Sequence, residues 1–359
     1  MSTMVALGVA WVGHRRAASQ GMMQGIALYT VMAAAAAPLL AWRFDLLPSA
    51  LGLAGFAFIL AGRPAVSGAA IGLGFAAKVF SIVLLPVLGI YLLARGQWGS
   101  VGRLLAGFLA AAALAWLPVS IVAPEEMLSF AIRQQERPIQ IESIQGGVHL
   151  LTHILFGADI RLSFDFGSVN VHPAGAEQAM GFGRIATIGA LVGALVLFLL
   201  RLGDEVRREG KQSLQTLIDA AVAILLTLLV TNKVLSPQYM IWLLPFAALL
   251  RRQHAYLVVL ATILTLTIFP LNYDRLIALE PALIVTLNLR NSVLVLLLAM
   301  LLIGPFGRAH LARVWSAARL KHPGSPVPPA SSDVSRAVVP GSGGAAAGLE
   351  KDDLGLFGQ

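Results

Sequence analysis

The chain has 359 residues, 57% of them hydrophobic and only 12% charged, with a mean hydropathy of +0.79. That composition excludes an ordinary soluble domain and predicts an all-α fold, a polytopic transmembrane helical bundle of roughly nine to eleven membrane segments. Cysteine is absent, which excludes disulfides and thiolate metal sites. The net charge of +8 is scattered over short loops between apolar stretches, a pattern of membrane topology and not of a nucleic-acid face.

In chain order, Val5 to Val12 is apolar but too short to span, since a crossing takes about 20 residues. It reads as the tail of a helix whose beginning is missing, followed by a basic loop at His14, Arg15 and Arg16. Met1 to Trp11 lacks the basic start of a cleavable signal peptide. Met22 to Trp42 is a full span and Leu46 to Ala61 returns. Val66 to Ala94 would be one long helix, but Lys78 lies in its middle, Pro86 follows, and both flanks are basic. A broken helix pair or re-entrant hairpin keeps both flanks on one side and carries Lys78 toward the other.

Leu104 to Val122 crosses again, and a polar interval from Pro124 to Met180 follows, holding RQQERPIQIESIQGGVH; Asp159, Asp165 and His172 read as loop. Further spans are Ile185 to Leu200, Leu214 to Val230, Tyr239 to Leu250, Ala255 to Phe269 and Asn288 to Ile303. Residues 1–305 therefore form the membrane domain. Residues 306–321 form a basic amphipathic segment, and 322–359 a tail rich in Pro, Gly, Ser and Ala that is predicted to be disordered. There is no internal repeat.

Arginine and lysine distribution sets the orientation. Arg15, Arg16, Arg63, Arg95, Arg103, Arg201, Arg207, Arg208, Lys211, Arg251, Arg252 and the segment Arg308 to Lys321 all fall on one side, which the positive-inside rule makes cytoplasmic. A multi-pass protein of the plasma membrane with a cytoplasmic C-terminus follows. The opposite, extracytoplasmic face gathers Asp45, Lys78, the Gln134 to His149 segment, the stretch TNKVLSPQYMIWLLP (Thr231 to Pro245) and Tyr273 to Arg275. In that central stretch Pro237 removes a backbone donor and disfavours helix at Ser236, so one apolar helix ends there and another begins.

Three kinds of group meet on this face: the cations Lys78, Arg137, Lys233, Arg275 and Arg290; the carboxylates Asp45, Glu136, Glu142 and Asp274; and the hydrogen-bonding or aromatic groups Gln140, Ser143, His149, Gln238, Tyr239 and Tyr273. Cations at a lipid boundary suit a phosphate head group whose tail lies in the bilayer. A carboxylate suits deprotonation of an acceptor hydroxyl, and amides and aromatics suit a sugar. Structural roles compete with these. Asp45 precedes Pro48 as a helix cap would, Lys233 could snorkel from a short loop, and Gln140 and Glu142 alternate with Ile139 and Ile141 as in an interfacial segment. His149 and His153, one turn apart, fit a shared helix face, and Asp219 fits a helix interface. The histidines are dispersed without metal-ligand spacing, and no Gly-rich loop joins a strand to a helix.

Three stretches, RFDLLPSALGLAGFAF (Arg43 to Phe58), GAAIGLGFAAKVFSIVLLPVL (Gly68 to Leu88) and NKVLSPQYMIWLLP (Asn232 to Pro245), resemble glycosyltransferase family 87, the polyprenyl-phosphate-dependent mannosyltransferase-like proteins of the C-type membrane glycosyltransferase superfamily; RPIQIES (Arg137 to Ser143) also looks like a segment of bacterial members. The resemblance implies transfer of a sugar, mannose in the type case, from a polyprenyl-phosphate donor to a lipid or glycan acceptor outside the cytoplasm, without a cofactor. Donor phosphate would fall to Lys78 and Lys233, joined by Arg137. Gln238 and Tyr239 would shape the pocket with Gln140, Ser143 and Tyr273. The superfamily places its catalytic acid in a first extracytoplasmic loop that this chain lacks. The expectation is therefore an N-terminally truncated enzyme, or one in which Asp45 or Glu142 serves, or a protein inactive as written. A lipid-linked sugar transporter and a noncatalytic glycolipid-binding subunit are the competing readings.

Overall fold

The computed structural model describes residues 1–126, 129, 132, 136–173 and 176–303, which belong to one unit, Met1–Ala309. Gln134 and the segments 306–321 and 322–359 named above lie outside the described residues. The basic loop at residues 14–16 proves to be part of a helical hairpin. Helix α1 (Ser2–Ala35) breaks at Ala17 and Ala18, whose backbone is non-helical, and its two arms fold back on each other. The arms approach closely enough that a Cβ on Gly13 would lie 2.5 Å from the carbonyl oxygen of Gly21, so only glycine fits there. Tyr29 donates to Ser2 across the hairpin at 3.3 Å. Arg16 is drawn inward, donating to Gln215 at 3.2 Å and to the carbonyl of Leu249.

Helix α2 (Ala37–Trp42) follows a kink at Ala36, so the stretch read as one span from Met22 is two pieces. Helices α3 (Leu46–Leu60) and α4 (Pro64–Ala77) form a second hairpin, turned at Gly62 with φ +72°. Helix α4 stops at Lys78, whose backbone is extended, and a 3₁₀ segment (Val79–Val83) leads into α5 (Leu84–Leu93). The expected broken helix thus has its break at Lys78 itself. Both of its legs pack on α3. Helix α6 (Trp98–Val122) lies against α4, where a Cβ on Gly68 would sit 1.9 Å from the Leu104 carbonyl oxygen. Small residues let two helix backbones touch in this way.

The polar interval is not all loop, and the fold is not purely α. A short strand β1 (Ile139–Gln140), helix α7 (Ile144–Phe156) and a hairpin of β2 (Ile160–Asp165) and β3 (Ser168–Pro173) form a small lobe, its antiparallel sheet ordered β1-β3-β2. Asp165 and His172, expected in loop, lie on these strands, and Asp159 immediately precedes one. The physical reason is a period-2 pattern: Ile160, Leu162 and Phe164 alternate with Arg161, Ser163 and Asp165. Ile141, Leu150, Val169 and Val171 make the lobe's core together with Ile284 and Leu287.

Helices α8 (Ala176–Glu209), α9 (Leu214–Thr231), α10 (Met240–Ala247), α11 (Arg252–Ile268), α12 (Tyr273–Ile277) and α13 (Pro281–Leu302) complete the described bundle. Every residue of α10 is buried, as is most of α9, so the Thr231 to Pro245 stretch lies at the centre of the fold. Among the described residues four helices are long and apolar enough to cross a membrane: Trp98–Val122, Ile185–Glu209, Leu214–Thr231 and Pro281–Leu302. The helices Leu46–Leu60, Pro64–Ala77 and Arg252–Ile268 are shorter and reach only about 21–25 Å, against a hydrocarbon core of about 30 Å. Helix α13 starts at Pro281, about two turns before the expected Asn288. Arg290 therefore sits mid-helix with its side chain buried, donating to the Glu142 carbonyl at 2.7 Å, and not on an open polar face.

Asp219 is an interface residue, as its position suggested. It is buried on α9 and its Oδ2 accepts from Arg201 and Arg251, each at 3.1 Å, while Oδ1 accepts from Gln215 at 2.8 Å.

Candidate functional site

The break in α4 is what builds the site. Because Lys78 leaves the helix in an extended conformation, its side chain turns to the start of α3, and its Nζ lies 2.5 Å from Asp45 Oδ1. Asp45 occupies the cap position of α3 but makes no side-chain cap bond. The same carboxylate oxygen accepts the indole N–H of Trp242 at 2.6 Å. Asp45 is almost wholly buried, 1% exposed, so both donors offset a desolvation penalty that would otherwise be several kcal/mol.

Aromatic rings complete the surroundings. Trp242 is sandwiched between Phe80 and Tyr239, with ring centroids 3.9 Å apart on each side. The Lys78 ammonium lies 5.4 Å from the rings of Phe44, Tyr239 and Trp242. Such cation–π contacts add on the order of 0.5–2 kcal/mol each. Lys78 is thereby fixed on its buried side while its other side faces an open cavity.

That cavity has a volume of about 1210 Å³. Its lining includes the polar residues Lys78, Lys233, Arg137, Asn232, Gln238 and Glu126 and the apolar residues Leu73, Phe75, Trp116, Val119 and Leu228. Lys233 is carried by the irregular stretch after α9, where Asn232 Oδ1 accepts the Val234 N–H at 3.0 Å and ends the helix. Arg137 is anchored by the tip of the β2–β3 hairpin, donating to Ser168 Oγ at 3.3 Å and the Phe166 carbonyl at 3.4 Å. The Tyr239 hydroxyl lies within hydrogen-bond reach of Ser236 and Arg137. Five of the expected site residues, Lys78, Lys233, Arg137, Gln238 and Tyr239, thus line one space, and Asp45 stands directly behind it.

The other four gather at the small lobe, three within it and Tyr273 of α12 packed against its core. Gln140 is buried; its N–H donates to the Lys233 carbonyl at 2.9 Å and its Oε1 accepts from Ser236 at 3.0 Å, so it positions the cationic loop from behind. Ser143 caps α7, accepting the Gly146 N–H at 2.9 Å and donating to the Gln140 carbonyl at 2.8 Å. Glu142 is buried with Gln140 and Tyr273 against its carboxyl and the Arg290 charge nearby. Burial pushes its pKa from 4.5 up to about 7, and these neighbours only partly oppose the rise. Tyr273 is pushed up as well, by burial and then by the Glu142 charge. None of these four lines the cavity.

Sequence reasoning missed Glu126, which brings a carboxylate to the cavity wall, and the rings of Phe44, Phe80 and Trp242. An aromatic residue inside an apolar run carries no signal of its own, although Trp242, three residues beyond Tyr239 in a helix, falls on the same face. Among the described residues no group of three His, Asp or Glu side chains converges as a metal set. No family model matches the chain, and no curated protein matches it either.

Proposed function

We propose that the protein is an integral membrane glycosyltransferase that takes a sugar, mannose in the simplest case, from a polyprenyl-phosphate donor and transfers it to a lipid or glycan acceptor at the extracytoplasmic face of the plasma membrane. In this reading the short apolar helices count as membrane segments beside the long ones, giving roughly nine to eleven, and the C-terminus is cytoplasmic. The observation that carries it is the divided lining of the cavity, three cations on the one hand and aromatic and aliphatic side chains on the other. That division fits an amphiphile with an anionic head and an apolar tail.

In the proposed reaction an acceptor hydroxyl attacks the anomeric carbon and the sugar–phosphate C–O bond breaks. The polyprenyl phosphate leaves with the bonding pair, its developing charge stabilised by Lys78, Lys233 and Arg137. The acceptor proton goes to a carboxylate. In this reading Glu126, the carboxylate among the described lining residues, takes it. Asp45 and Glu142 both lie behind the wall, and their burial favours a second reading, a noncatalytic subunit that binds a lipid phosphate.

The test is transfer of radiolabel from polyprenyl-phosphomannose to membrane lipid or glycan acceptors by the purified protein in liposomes. Transfer that Lys233→Gln and Glu126→Gln each lower at least tenfold, with normal insertion, supports the enzyme. Donor binding without transfer supports the binding subunit, and neither binding nor transfer overturns both.

A further inference from the structure

Helix α7 of the small lobe has its surface chemistry reversed for a helix in water. A helix on a protein surface ordinarily turns polar side chains outward. The exposed side chains of α7 are Val148, Leu155 and Phe156, at 50%, 66% and 81% of full exposure, and all are apolar. Val148 and Leu155 are two helical turns apart and share one face, with Phe156 beside them. The polar side chains of the helix turn back onto the protein. Gln145 donates to the Thr231 carbonyl at 3.4 Å, Thr152 to the His149 carbonyl at 2.8 Å, and His153 Nδ1 lies 2.8 Å from the Ala158 carbonyl. Internal pairing of this kind is what lipid demands and water does not.

The level of α7 along α13 says what covers this stripe. Arg275 and Glu280 form an exposed ion pair at 2.7 Å immediately before α13, which marks the water side. Beyond it the outward residues of α13 include Val285 and Leu289, both apolar and more than half exposed, on a helix long and apolar enough to cross a membrane. The start of α7 is pinned alongside. Asn288 donates to the Gly147 carbonyl at 3.0 Å, Arg290 to the Glu142 carbonyl at 2.7 Å and Asn291 to the Ser143 carbonyl at 3.3 Å. Asn288 and Asn291 stand about 12–17 Å along the helix from Glu280, and Leu150 of α7 packs in one cluster with Ile284 and Leu287. Helix α7 therefore lies beside the first turns of α13, at the depth where that helix itself turns apolar side chains outward.

We propose that α7 is seated in the membrane: Val148, Leu155 and Phe156 lie against the acyl chains of the leaflet around the start of α13, and lipid anchors the small lobe there. This rests on α13 crossing the bilayer and not on the chemistry assigned to the cavity. It bears on the cavity all the same. Strand β1 leads almost directly into α7, and its Gln140 N–H donates to the Lys233 carbonyl at 2.9 Å, so a lobe held by lipid holds the cationic loop in turn.

The chain has no cysteine, so Val148→Cys, Phe156→Cys, Leu289→Cys and Arg275→Cys each accept a single nitroxide label. The labelled full-length proteins are placed in phosphatidylcholine vesicles. Collision of each label is measured with oxygen, which concentrates in lipid, and with a water-soluble nickel chelate. Labels at positions 148 and 156 are expected to match the label at 289, with an oxygen-to-nickel ratio several-fold above that at 275; Leu155→Cys takes the place of Phe156→Cys if that variant does not fold. A ratio at 148 or 156 equal to that at 275 puts the stripe in water and overturns the proposal. Shielding of either label from both reagents means that protein, such as a second copy of this chain, covers the face, and overturns it as well. A label at 289 that behaves like the one at 275 takes α13 out of the bilayer and overturns the reading on which the proposal rests.

Discussion

Glu142 gives the fold a pH dependence whose sign runs against the usual carboxylate behaviour. Its carboxyl is buried in the small lobe, and its pKa is raised from 4.5 to about 7 by desolvation, with Arg290, Tyr273 and Gln140 opposing the rise only in part. The unfolded chain loses this proton near pH 4.5 and the folded chain keeps it to about 7. Unfolding between those values therefore releases a proton, and stability falls as pH rises through the window. At about 1.4 kcal/mol per pH unit the loss amounts to about 3 kcal/mol. Glu142→Gln keeps the shape and hydrogen-bonding capacity of the protonated acid and removes the titration. The assay is thermal unfolding of wild type and variant in the same detergent at pH 5 and pH 8. The two are expected to be alike at pH 5, with the variant the more stable at pH 8. The reasoning is refuted if both proteins show the same pH dependence.

Two further predictions concern packing and the aromatic stack. Gly68→Ala places a methyl group against the Leu104 carbonyl, 1.9 Å from where its Cβ must sit; α4 and α6 must separate, and a loss of about 1–3 kcal/mol is expected in detergent melts. Trp242→Phe keeps a ring between Phe80 and Tyr239 but deletes the N–H that Asp45 accepts at 2.6 Å. Leaving that buried carboxylate with one donor fewer is expected to cost about 1–3 kcal/mol, and Trp242→Phe with Asp45→Asn is expected to cost less than the sum of the two single changes.

Much of the helical layout was legible because a long apolar run has few alternatives to a helix. The break at Lys78 was legible for a related reason: an ammonium inside an apolar run is costly unless it meets a partner or a water-filled cavity, and irregular backbone is tolerated in such places. What the side chain does there was not. Lys78 and Asp45 are 33 positions apart, and only the turning of α4 against α3 brings them together. The central stretch was read correctly as a place where one helix ends, and its Lys233, Gln238 and Tyr239 do share a cavity. Ser143 was misleading, since a serine followed by Ile144-Gln145-Gly146 is equally a helix start, and the chain uses it as one. The β2–β3 hairpin was missed although its alternation is plain, because the surrounding text is helical in period and length. Glu126 gave no signal, because a glutamate just past the end of an apolar helix is ordinary.

The clasp at Asp219 fixes one end of α9 far from the cavity. Two arginines from different parts of the bundle hold it near its first turn, and its far end at Asn232 and Lys233 reaches the cavity. The rod between them is about 20 Å long at 1.5 Å per residue. With the fulcrum at Asp219, a tilt of about 5° would displace the far end by a little under 2 Å over that length. A movement of that size is a large fraction of a hydrogen-bond length, so even a small rotation about Asp219 would alter where Lys233 stands in the cavity.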